Sequence, residues 1–486
     1  MRSVRQTEQL RNFHKLTMPI VAEQSERARR LDSLAIFGGE KAVQKPTLEW
    51  PAEYLKRHGQ REAEAVANVI KRGVVWGAFA PETSAFETEF ARYIGVKHAI
   101  FMNSGTAALH SGMAAAGVQP GDEVITSPHT FIGSASCILH QGAIPVFSDI
   151  DPRTYTIDPS KIEEKITKAT KVIEPVHIYG LPADMDVVNK IADSHGLVVV
   201  EDACQAHGAE YNGKKAGSLG DMAAFSFNGT KNMQTGEGGM FVTDSDEYAG
   251  TSERVRIFGE SLRSGVPRPY MSFGMGWNYK SNELCAALGR VQLSKLDETN
   301  KARIEMAEFL TRRLSKLPGL IPPYVPSYAK SVYHYYKIRV DPAQLDVKLS
   351  PRDFRDRIVV ALQAEGVKAA IWCARPIYMQ PVFQMREGWG KGFPWKSPYV
   401  SRDVKYDAGL CPVAERISNE TFNLSLHPPN GLDLMEDYAQ AFEKVIDHAK
   451  QLEKVKAPSW EEWWGGYVPV MGKESKEKME EITGYR

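Results

Sequence analysis

Residues 184–203 read DMDVVNKIADSHGLVVVEDA, and this stretch decides the fold class. Its first half spaces Met185, Val188 and Ile191 at helical intervals and ends at Gly196, so it predicts an amphipathic helix. Its second half, LVVVEDA, is a short apolar run followed by two acids. A helix that leads directly into a strand buried on both faces is typical of a parallel sheet covered by helices.

The same alternation of helix and strand extends to both sides of this stretch. Short apolar runs predict further strands in HAIFMNS, EVITSP, IPVFSDID and KVIEPVHIYG, and MAAFSFN and GGMFVTD add two more without a clear helix between them. Helical patterns occur in QREAEAVANVIKRG, FETEFARYIG, TAALHSGMAAAGV, TFIGSASCILHQG and IEEKIT. We therefore predict a doubly wound α/β domain with a mostly parallel sheet over roughly residues 60 to 250.

A second region with a different pattern follows the predicted sheet. It contains the amphipathic segment KARIEMAEFLTRRLSKL, the strand-like YHYYKIRV and two later helical patterns, which together indicate a smaller α+β domain. The predicted organisation is a lead-in over residues 1–58, a large domain over 59–298, a smaller domain over 299–456 and a tryptophan-rich tail over 457–486. We expect the tail to pack on the body of the protein or on a partner subunit.

The composition argues against several classes of function. Sixty basic residues balance 60 acidic ones, so we expect no general attraction to nucleic acid or to an anionic membrane. The five cysteines are dispersed without a CxxC pair, which argues against a disulfide framework or a zinc site and suits the reducing cytoplasm. No apolar run approaches the roughly 20 residues of a membrane helix, and the first residues lack the apolar core of a secretory signal. We therefore expect a cytoplasmic enzyme without a metal site.

Polar residues at the predicted strand ends are candidates for chemistry, because ligands of doubly wound sheets bind beyond the carboxyl ends of the strands. Gly105 and Thr106 lie in a small turn before an alanine-rich helix, where backbone N–H groups can bind a phosphate. The alternative is an ordinary helix cap. Asp202 follows the buried strand LVVVE, and Gln205 could aim its amide at the same place. A carboxylate there needs a partner, which is either a ligand or the cap of the next segment.

Two further candidates are a lysine and an aromatic residue. Lys231 lies in FSFNGTKNMQTGEGG, between a strand that ends near Ser226 and a glycine-rich loop. A lysine held on such a loop inside a cleft can lose its hydration and become a nucleophilic amine, whereas the alternative is a solvated loop cation. Phe131, in SPHTF, could stack on a flat ligand or could be a buried aromatic at a helix start. A phosphate cradle, a stacking ring, a buried acid and a reactive lysine are together the parts that hold pyridoxal phosphate.

The chain resembles the DegT/DnrJ/EryC1/StrS family of pyridoxal-phosphate aminotransferases, which has an aspartate-aminotransferase-like fold. The resemblance covers roughly residues 34 to 450. The motifs that carry it appear in order as FETEFARYIGVKHAIFMNSGTAAL, GDEVITSPHTFIGSA, PVFSDIDPRTY, HIYGLPADMD, VVVEDACQAHGA, FSFNGTKNMQTGEGGMFVTD, WNYKSNELCAALGRVQL and CPVAERISNETFNLSLHP.

This resemblance implies roles for the residues around the cofactor ring. Lys231 matches the lysine that forms the Schiff base, and Asp202 matches the partner of the pyridine nitrogen. Gln205 matches a side chain near the ring hydroxyl, and Phe131 matches the aromatic residue that stacks on the ring. Some members of the family have histidine in place of the lysine and dehydrate sugars, so Lys231 indicates the aminotransferase branch.

The resemblance also implies the phosphate contacts and the assembly. Gly105, Thr106 and Ser226 match residues that bind the phosphate. Asn278, in WNYKSNE, matches an asparagine that reaches the phosphate of the neighbouring subunit, which implies a homodimer with shared active sites. One departure is RPIYMQPVF, in which Tyr378 replaces a histidine of the family motif, so the substrate contacts there are open.

The function implied by the resemblance is an aminotransferase that moves an amino group from glutamate or glutamine to a nucleotide-linked keto-sugar or a keto-cyclitol. Two alternatives remain open. One is an aromatising or dehydrating enzyme of the same family, similar to aminohydroxybenzoate synthase. The other is a non-enzymatic regulatory protein that binds pyridoxal phosphate. A nicotinamide-dependent oxidoreductase is discarded, because no GxGxxG follows the first strand. The sequence does not identify the acceptor.

Overall fold

The computed structural model describes residues 33–44, 57–263, 265–428 and 430–457. The predicted lead-in is therefore described only in part. The tryptophans of the predicted tail lie outside the described residues, so the packing predicted for them is not addressed.

The described residues form three sheets. Their strands are β1 (His98–Met102), β2 (Glu123–Thr126), β3 (Ile144–Phe147), β4 (Thr170–Glu174), β5 (Val198–Asp202), β6 (Glu210–Tyr211), β7 (Lys214–Lys215), β8 (Met222–Ser226), β9 (Gly239–Thr243), β10 (Leu320–Ile321), β11 (Ala329–Lys330), β12 (Tyr336–Val340), β13 (Ala369–Ala370) and β14 (Thr421–Leu424).

The helices alternate with the strands in the first half of the chain. They are α1 (Gln60–Arg72), α2 (Pro81–Ile94), α3 (Gly105–Ala115), α4 (Gly133–His140), α5 (Met185–His195), α6 (Asp246–Arg256), α7 (Glu283–Leu314), α8 (Pro351–Ala364), α9 (Pro381–Met385), α10 (Pro412–Glu420) and α11 (Leu432–Asp447). Helix α5 and strand β5 are the helix and strand expected from residues 184–203.

The central sheet has seven strands in the order β1-β9-β8-β5-β4-β2-β3. Its strands are parallel except β9, which runs antiparallel to both β1 and β8. Alternate residues of β8 enter different hydrophobic cores, since Phe225 packs with the aromatic residues of α2 and Ala224 packs with α3. The predicted α/β domain with a mostly parallel, doubly covered sheet is therefore confirmed.

The antiparallel pairing of β8 with β9 determines where Lys231 lies. The two strands pair directly, with Ser226 opposite Gly239, so the chain reverses direction between them instead of crossing over a helix. The reversal, residues 227–238, carries Lys231 and lies at the carboxyl end of β8. This explains why the sequence shows no helical pattern between MAAFSFN and GGMFVTD.

The smaller domain is built on the antiparallel sheet β10-β12-β14-β13. Helices α8 and α11 and the second half of α7 cover it, and their apolar side chains share one core. Helix α7 is continuous over 32 residues, and the predicted domain boundary at residues 298 and 299 falls in its middle. The segment LDETN contains no glycine or proline to end a helix there.

One predicted helix is wrong. The segment IEEKIT, between β3 and β4, forms no α-helix, and the structure has two short 3₁₀ turns there, Pro159–Lys161 and Glu163–Lys165. Six residues do not offset the cost of nucleating an α-helix without a long apolar face to bury.

The described residues contain neither a membrane-spanning helix nor a cluster of metal ligands. No helix among them is long and apolar enough to cross a membrane. Within the same ranges, no group of three or more histidine, cysteine, aspartate or glutamate side chains is arranged to hold a metal ion.

Candidate active site

The carboxyl ends of β8 and β5 meet the amino end of α3 at one edge of the central sheet. Gly105 is the first residue of α3, Ser226 is the last of β8, and Cys204 follows β5. A Cβ atom on Gly105 would lie 2.7 Å from Ser226 Cβ and 2.9 Å from Cys204 Sγ, so only glycine fits this close approach. The structure thus brings together Gly105 and Ser226, which the sequence predicts for one phosphate site.

The amino end of α3 has the features of an anion site. Ser104 is the N-cap residue, and its Oγ accepts a hydrogen bond from the backbone N–H of Ala107 at 3.1 Å. Thr106 is half-buried in the first turn. A Cβ atom on Gly239 would lie only 2.2 Å from the carbonyl oxygen of Ser104, so β9 passes directly against this turn. The cap and the anion site are compatible, because the cap satisfies one amide and the positive end of the helix dipole remains at the sheet edge.

Asp202 is held in a fixed orientation at the end of β5. The residue is only 6% exposed. Its Oδ2 accepts a hydrogen bond from Ser134 Oγ at 2.7 Å, and its Oδ1 accepts one from the backbone N–H of Cys204 at 3.1 Å. Gln205 is also buried, and its Oε1 accepts a hydrogen bond from the backbone N–H of Tyr179 at 2.8 Å. Two hydrogen-bond donors satisfy a buried carboxylate and favour its charged form.

Lys231 is half-buried beside these residues. Burial lowers the pKa of its amine, and the nearby Cys204 thiol and Asp202 carboxylate oppose this change by a smaller amount. Because the pKa is lowered, a larger share of the amine is uncharged near neutral pH than in an exposed lysine. The prediction of a solvated loop cation does not fit this position, whereas a nucleophilic amine does.

The loop around Lys231 is fixed on both sides. The Lys231 backbone N–H donates to the carbonyl oxygen of Asn228 at 2.9 Å, and the Arg57 guanidinium donates to the Lys231 carbonyl oxygen. The next residue, Asn232, is buried and donates its amide to Asn300 Oδ1 at 3.1 Å and to the Val332 carbonyl oxygen at 3.0 Å. These bonds tie the loop to α7 and to the start of the smaller domain, so the amine is held at a defined place.

Phe131 lies at the same edge and is open to a ligand. Its side chain is 58% exposed, so it is not the buried helix-start aromatic that was the alternative prediction. A Cβ atom on Gly133 would lie 3.2 Å from the Phe131 ring and 3.2 Å from Thr106 Oγ1. The ring is therefore close to the first turn of α3, where a flat ligand with a phosphate tail could contact both.

Asn278 also lies next to this edge, but on the exposed side. Its carbonyl oxygen accepts a hydrogen bond from Asn103 Nδ2 at 3.2 Å, and its Oδ1 accepts one from Lys280 Nζ at 2.6 Å. Asn103 follows β1 directly and precedes α3. The structure thus places Asn278 at the sheet edge of its own chain, and its contact with a neighbouring subunit stays a prediction.

Tyr378 lies inside a hydrophobic core and not at the sheet edge. The residue is fully buried in a core with Phe147, and its hydroxyl donates to Glu415 and accepts from the backbone N–H of Cys411 at 3.2 Å. The tyrosine in place of the family's histidine is thus a core residue of the described structure.

Two polar residues near the site escaped sequence reasoning. Ser134 orients Asp202, but its position in TFIGSA gives no signal that separates it from an ordinary residue of a helix. His207 is buried near Lys231, and neither of its ring nitrogens has a hydrogen-bond partner among the described residues. Burial, followed by the charge of Lys231, lowers the pKa of His207 to about 3, so this imidazole is neutral.

Substituting Gly105 tests the phosphate cradle. We expect Gly105→Ala to cost about 1–3 kcal/mol in free energy of unfolding and to weaken cofactor retention, because the added Cβ overlaps Ser226 and Cys204. The matched control is Gly250→Ala in α6, whose Cβ would meet only the flexible end of Arg254 at 3.7 Å. Denaturant unfolding and cofactor content after gel filtration measure both effects. An alanine at 105 with normal stability and cofactor content would contradict the cradle.

The residues at this edge fit pyridoxal phosphate. A glycine cradle and a helix amino end can hold a phosphate, Asp202 can hold a protonated ring nitrogen, and Phe131 can cover the ring. Lys231 supplies the amine that such a cofactor requires.

Comparison with known proteins gives the same class of enzyme. A sequence profile of the DegT/DnrJ/EryC1/StrS aminotransferase family matches residues 56–443. GDP-perosamine synthase of Caulobacter vibrioides is 41% identical over 294 residues, which are 60% of this chain and 75% of that protein.

Two solved structures show the same architecture. S. venezuelae DesV, in complex with a ketimine intermediate, is 31% identical with a TM-score of 0.71 over 83% of this chain and 98% of DesV. The synthase of 3-amino-5-hydroxybenzoic acid (AHBA) is also 31% identical, with a TM-score of 0.71 over 82% of this chain and 97% of that one. This likeness confirms the predicted aspartate-aminotransferase-like fold.

Proposed function

The chain belongs to the DegT/DnrJ/EryC1/StrS aminotransferase family, and we propose that it moves an amino group from glutamate or glutamine to a keto-sugar or keto-cyclitol, with pyridoxal 5′-phosphate as cofactor. Its class, a pyridoxal-phosphate-dependent aminotransferase, follows from this membership. The structural observation that supports the proposed amino-group transfer is the position of Lys231. Burial lowers the pKa of its amine, and the amine is within electrostatic reach of the hydrogen-bonded carboxylate of Asp202.

Each residue at the edge has a defined task in this reaction. The cofactor, when bound, supplies the electron sink that lets an amino acid lose its nitrogen. Lys231 holds the cofactor between turnovers and moves the proton at the substrate carbon when its amine is free. Asp202, fixed by Ser134, keeps a proton on the ring nitrogen because its negative charge favours the cationic form.

The remaining residues bind and orient. The amino end of α3, with Gly105 and Thr106, together with Ser226 would hold the phosphate. Phe131 would cover the ring, and Gln205, held by the Tyr179 backbone, would contact the ring hydroxyl. Fixed positions on strand ends and a helix start lower the cost of orienting the reacting groups.

The acceptor class is supported by the relatives. The name of GDP-perosamine synthase, at 41% identity, denotes a nucleotide-linked amino sugar. A second candidate is an aromatising enzyme, which the likeness to AHBA synthase favours, because its identity and TM-score equal those of DesV. A panel assay separates the two candidates. The purified protein is incubated with glutamate or glutamine and with nucleotide-linked keto-sugars, a keto-cyclitol or a non-aromatic cyclic precursor of an aminohydroxybenzoate, and the products are identified by mass spectrometry. Amination of a keto-sugar or keto-cyclitol supports the proposal, and formation of an aromatic amine with no amination of the others overturns it.

We also propose that the protein is a homodimer in which each active site contains residues of both subunits. We propose in addition that it lies in the cytoplasm. The segment before Asn278 exposes four large apolar side chains, Tyr270, Met271, Phe273 and Met275. Trp76, which pairs with Asn282 just after this segment, is exposed as well. Clustered exposed apolar residues of this size are typical of a subunit interface. The cytoplasm is supported by the five cysteines, which are all free.

A complementation experiment tests the shared site. Asn278→Ala removes a contact to a charged phosphate worth about 1.5–3 kcal/mol, so we expect cofactor affinity to fall tenfold or more. Mixing Asn278→Ala with Lys231→Ala subunits after mild dissociation should then restore about a quarter of wild-type activity, because half of the random dimers carry one intact site. If each site belongs to one chain, mixing restores nothing. Each variant mixed with itself is the control.

A further inference from the structure

Glu174 is a buried acid for which the proposed reaction has no task. It ends β4 in the middle of the central sheet and is 0% exposed. Its Oε1 accepts a contact from the Cys137 thiol at 3.6 Å, and its Oε2 has no hydrogen-bond partner among the described residues. An ionised carboxylate without a donor is strongly disfavoured in such a place, whereas a neutral acid is tolerated.

The sheet places Glu174 on the same face as Asp202. Strands β4 and β5 run parallel with Ile173 opposite Val199, and the pairing continues with Val176 opposite Asp202. Side chains of paired residues in parallel strands share a face, and residues two apart on a strand share it too. Glu174, two residues before Val176, therefore projects to the face from which Asp202 projects.

Helix α4 confirms this arrangement, because it touches both acids. Ser134 Oγ donates to Asp202 Oδ2 at 2.7 Å, and Cys137, about one helical turn further on, contacts Glu174 Oε1. The two carboxyl groups thus lie side by side beneath one helix, with Asp202 nearer to the sheet edge.

The hydrogen bonds of the two acids differ. Asp202 has a donor on each carboxylate oxygen, Ser134 Oγ and the Cys204 N–H, and both bonds favour the charged form. Glu174 has the weak thiol contact on Oε1 and a contribution from the Thr126 hydroxyl, whose bond at 3.1 Å is to the Glu174 backbone oxygen, and its Oε2 has no donor among the described residues. Two neighbouring buried carboxyl groups do not both ionise readily, so a single proton goes to the member with fewer donors.

We propose that Glu174 and Asp202 form a coupled pair that holds one proton, in which Glu174 keeps the proton and Asp202 carries the charge that faces the cofactor. Glu174 is then a positioning residue: it acts through Asp202 and does not touch the cofactor. Consistent with this, burial and the charge of Asp202 raise the pKa of Glu174 well above its ordinary value.

The other groups that face Glu174 do not replace it as the titrating group. Burial raises the pKa of both nearby thiols, Cys137 and Cys204, well above their ordinary values, so they stay protonated. Lys231 lies beyond Asp202 and near Cys204. The difference in pH response between wild type and a Glu174 variant therefore reports on Glu174, because both thiols and Lys231 are present in both proteins.

The first test uses the full chain without cofactor and does not depend on the proposed function. The pKa of Glu174 is near 4.5 in the unfolded chain and is raised in the folded protein. At pH values between these two pKa values, Glu174 loses its proton only when the chain unfolds, so the free energy of unfolding falls as the pH rises. The ratio of unfolding constants, wild type over Glu174→Gln, should grow about tenfold per pH unit in this window and then level off. Glu174→Met, which also lacks a titrating group, should give the same curve if the glutamine variant folds poorly. A flat ratio between pH 5 and 9 would overturn the proposal.

The coupling to Asp202 is tested by repeating this comparison in an Asp202→Asn background. Without the neighbouring charge, Glu174 ionises at lower pH, so the ratio should level off at a lower pH. An unchanged curve would refute the pairing even if the first test had given the expected result.

A second readout rests on the proposed function, since it uses the protein loaded with pyridoxal phosphate. When Glu174 ionises at alkaline pH, a second negative charge lies behind Asp202, and this charge favours the protonated form of the cofactor. We expect Glu174→Gln to lower the pH midpoint of the cofactor's visible band by about one unit. The control is Glu123→Gln, a buried acid at the opposite end of β2 that pairs with Arg402, which should not move the midpoint. An unchanged midpoint in Glu174→Gln would contradict the positioning role, whereas failure to bind cofactor at all would contradict the proposed function instead.

Discussion

Lys231→Ala is expected to abolish turnover, with a loss of at least about 10⁴-fold in rate. The amine has two proposed tasks, holding the cofactor and moving the substrate proton, and burial lowers its pKa as both tasks require. The structural cost of the change is small, because the loop is held by backbone bonds and by Asn232, and not by the Lys231 side chain.

The measurement is a single-turnover assay combined with borohydride reduction. Wild-type protein reduced with borohydride should carry the cofactor's mass on the peptide that contains Lys231, and the alanine variant should not. The control is Lys214→Ala, an exposed lysine of β7, which should behave as wild type. Turnover by Lys231→Ala above a hundredth of the wild-type rate would refute the assignment.

Asp202→Asn is expected to lower the rate about 10²–10³-fold while much of the cofactor stays bound. The amide is isosteric: its Oδ1 can keep the hydrogen bond from the Cys204 N–H, and its Nδ2 can donate to Ser134 Oγ, whose hydroxyl can turn to donate to Thr130 Oγ1, so the fold is preserved. It carries no negative charge, so it no longer favours a protonated ring nitrogen. The loss is therefore in the chemical step and not in stability.

Stopped-flow spectra of the half reaction with glutamate or glutamine separate these effects. We expect slow bleaching of the cofactor band in Asp202→Asn and normal cofactor content. Asp221→Asn is the matched control, because Asp221 accepts a backbone hydrogen bond at the opposite end of β5. A rate within a factor of three of wild type in Asp202→Asn would show that the reaction does not depend on the negative charge of Asp202 near the ring nitrogen.

The sequence was sufficient to predict the central sheet and the sheet edge at which most of the candidate residues lie. Apolar strands such as LVVVE can only be buried in a covered parallel sheet, and this places the residue after each strand at one edge. Lys231, Asp202 and Gly105 were found in this way, from their positions at strand and helix ends. The structure adds that the close approach of Gly105 to Ser226 excludes any side chain there.

Other features depend on contacts that a linear pattern does not contain. Which face of β4 Glu174 occupies, and which acid Ser134 contacts, follow from strand register and helix packing between segments far apart in sequence. The continuity of α7 through LDETN was missed because polar residues that are compatible with a helix also resemble a linker. IEEKIT shows the opposite error, since helical composition alone does not make a helix of so short a segment.

The most direct test of the central claim is the absorption spectrum of the purified protein, reconstituted with pyridoxal phosphate, before and after addition of glutamate or glutamine. We expect a visible band that bleaches with one of the two donors and returns when a keto acceptor is added. A protein that stays colourless after reconstitution would contradict the claim that the buried amine of Lys231 holds a cofactor.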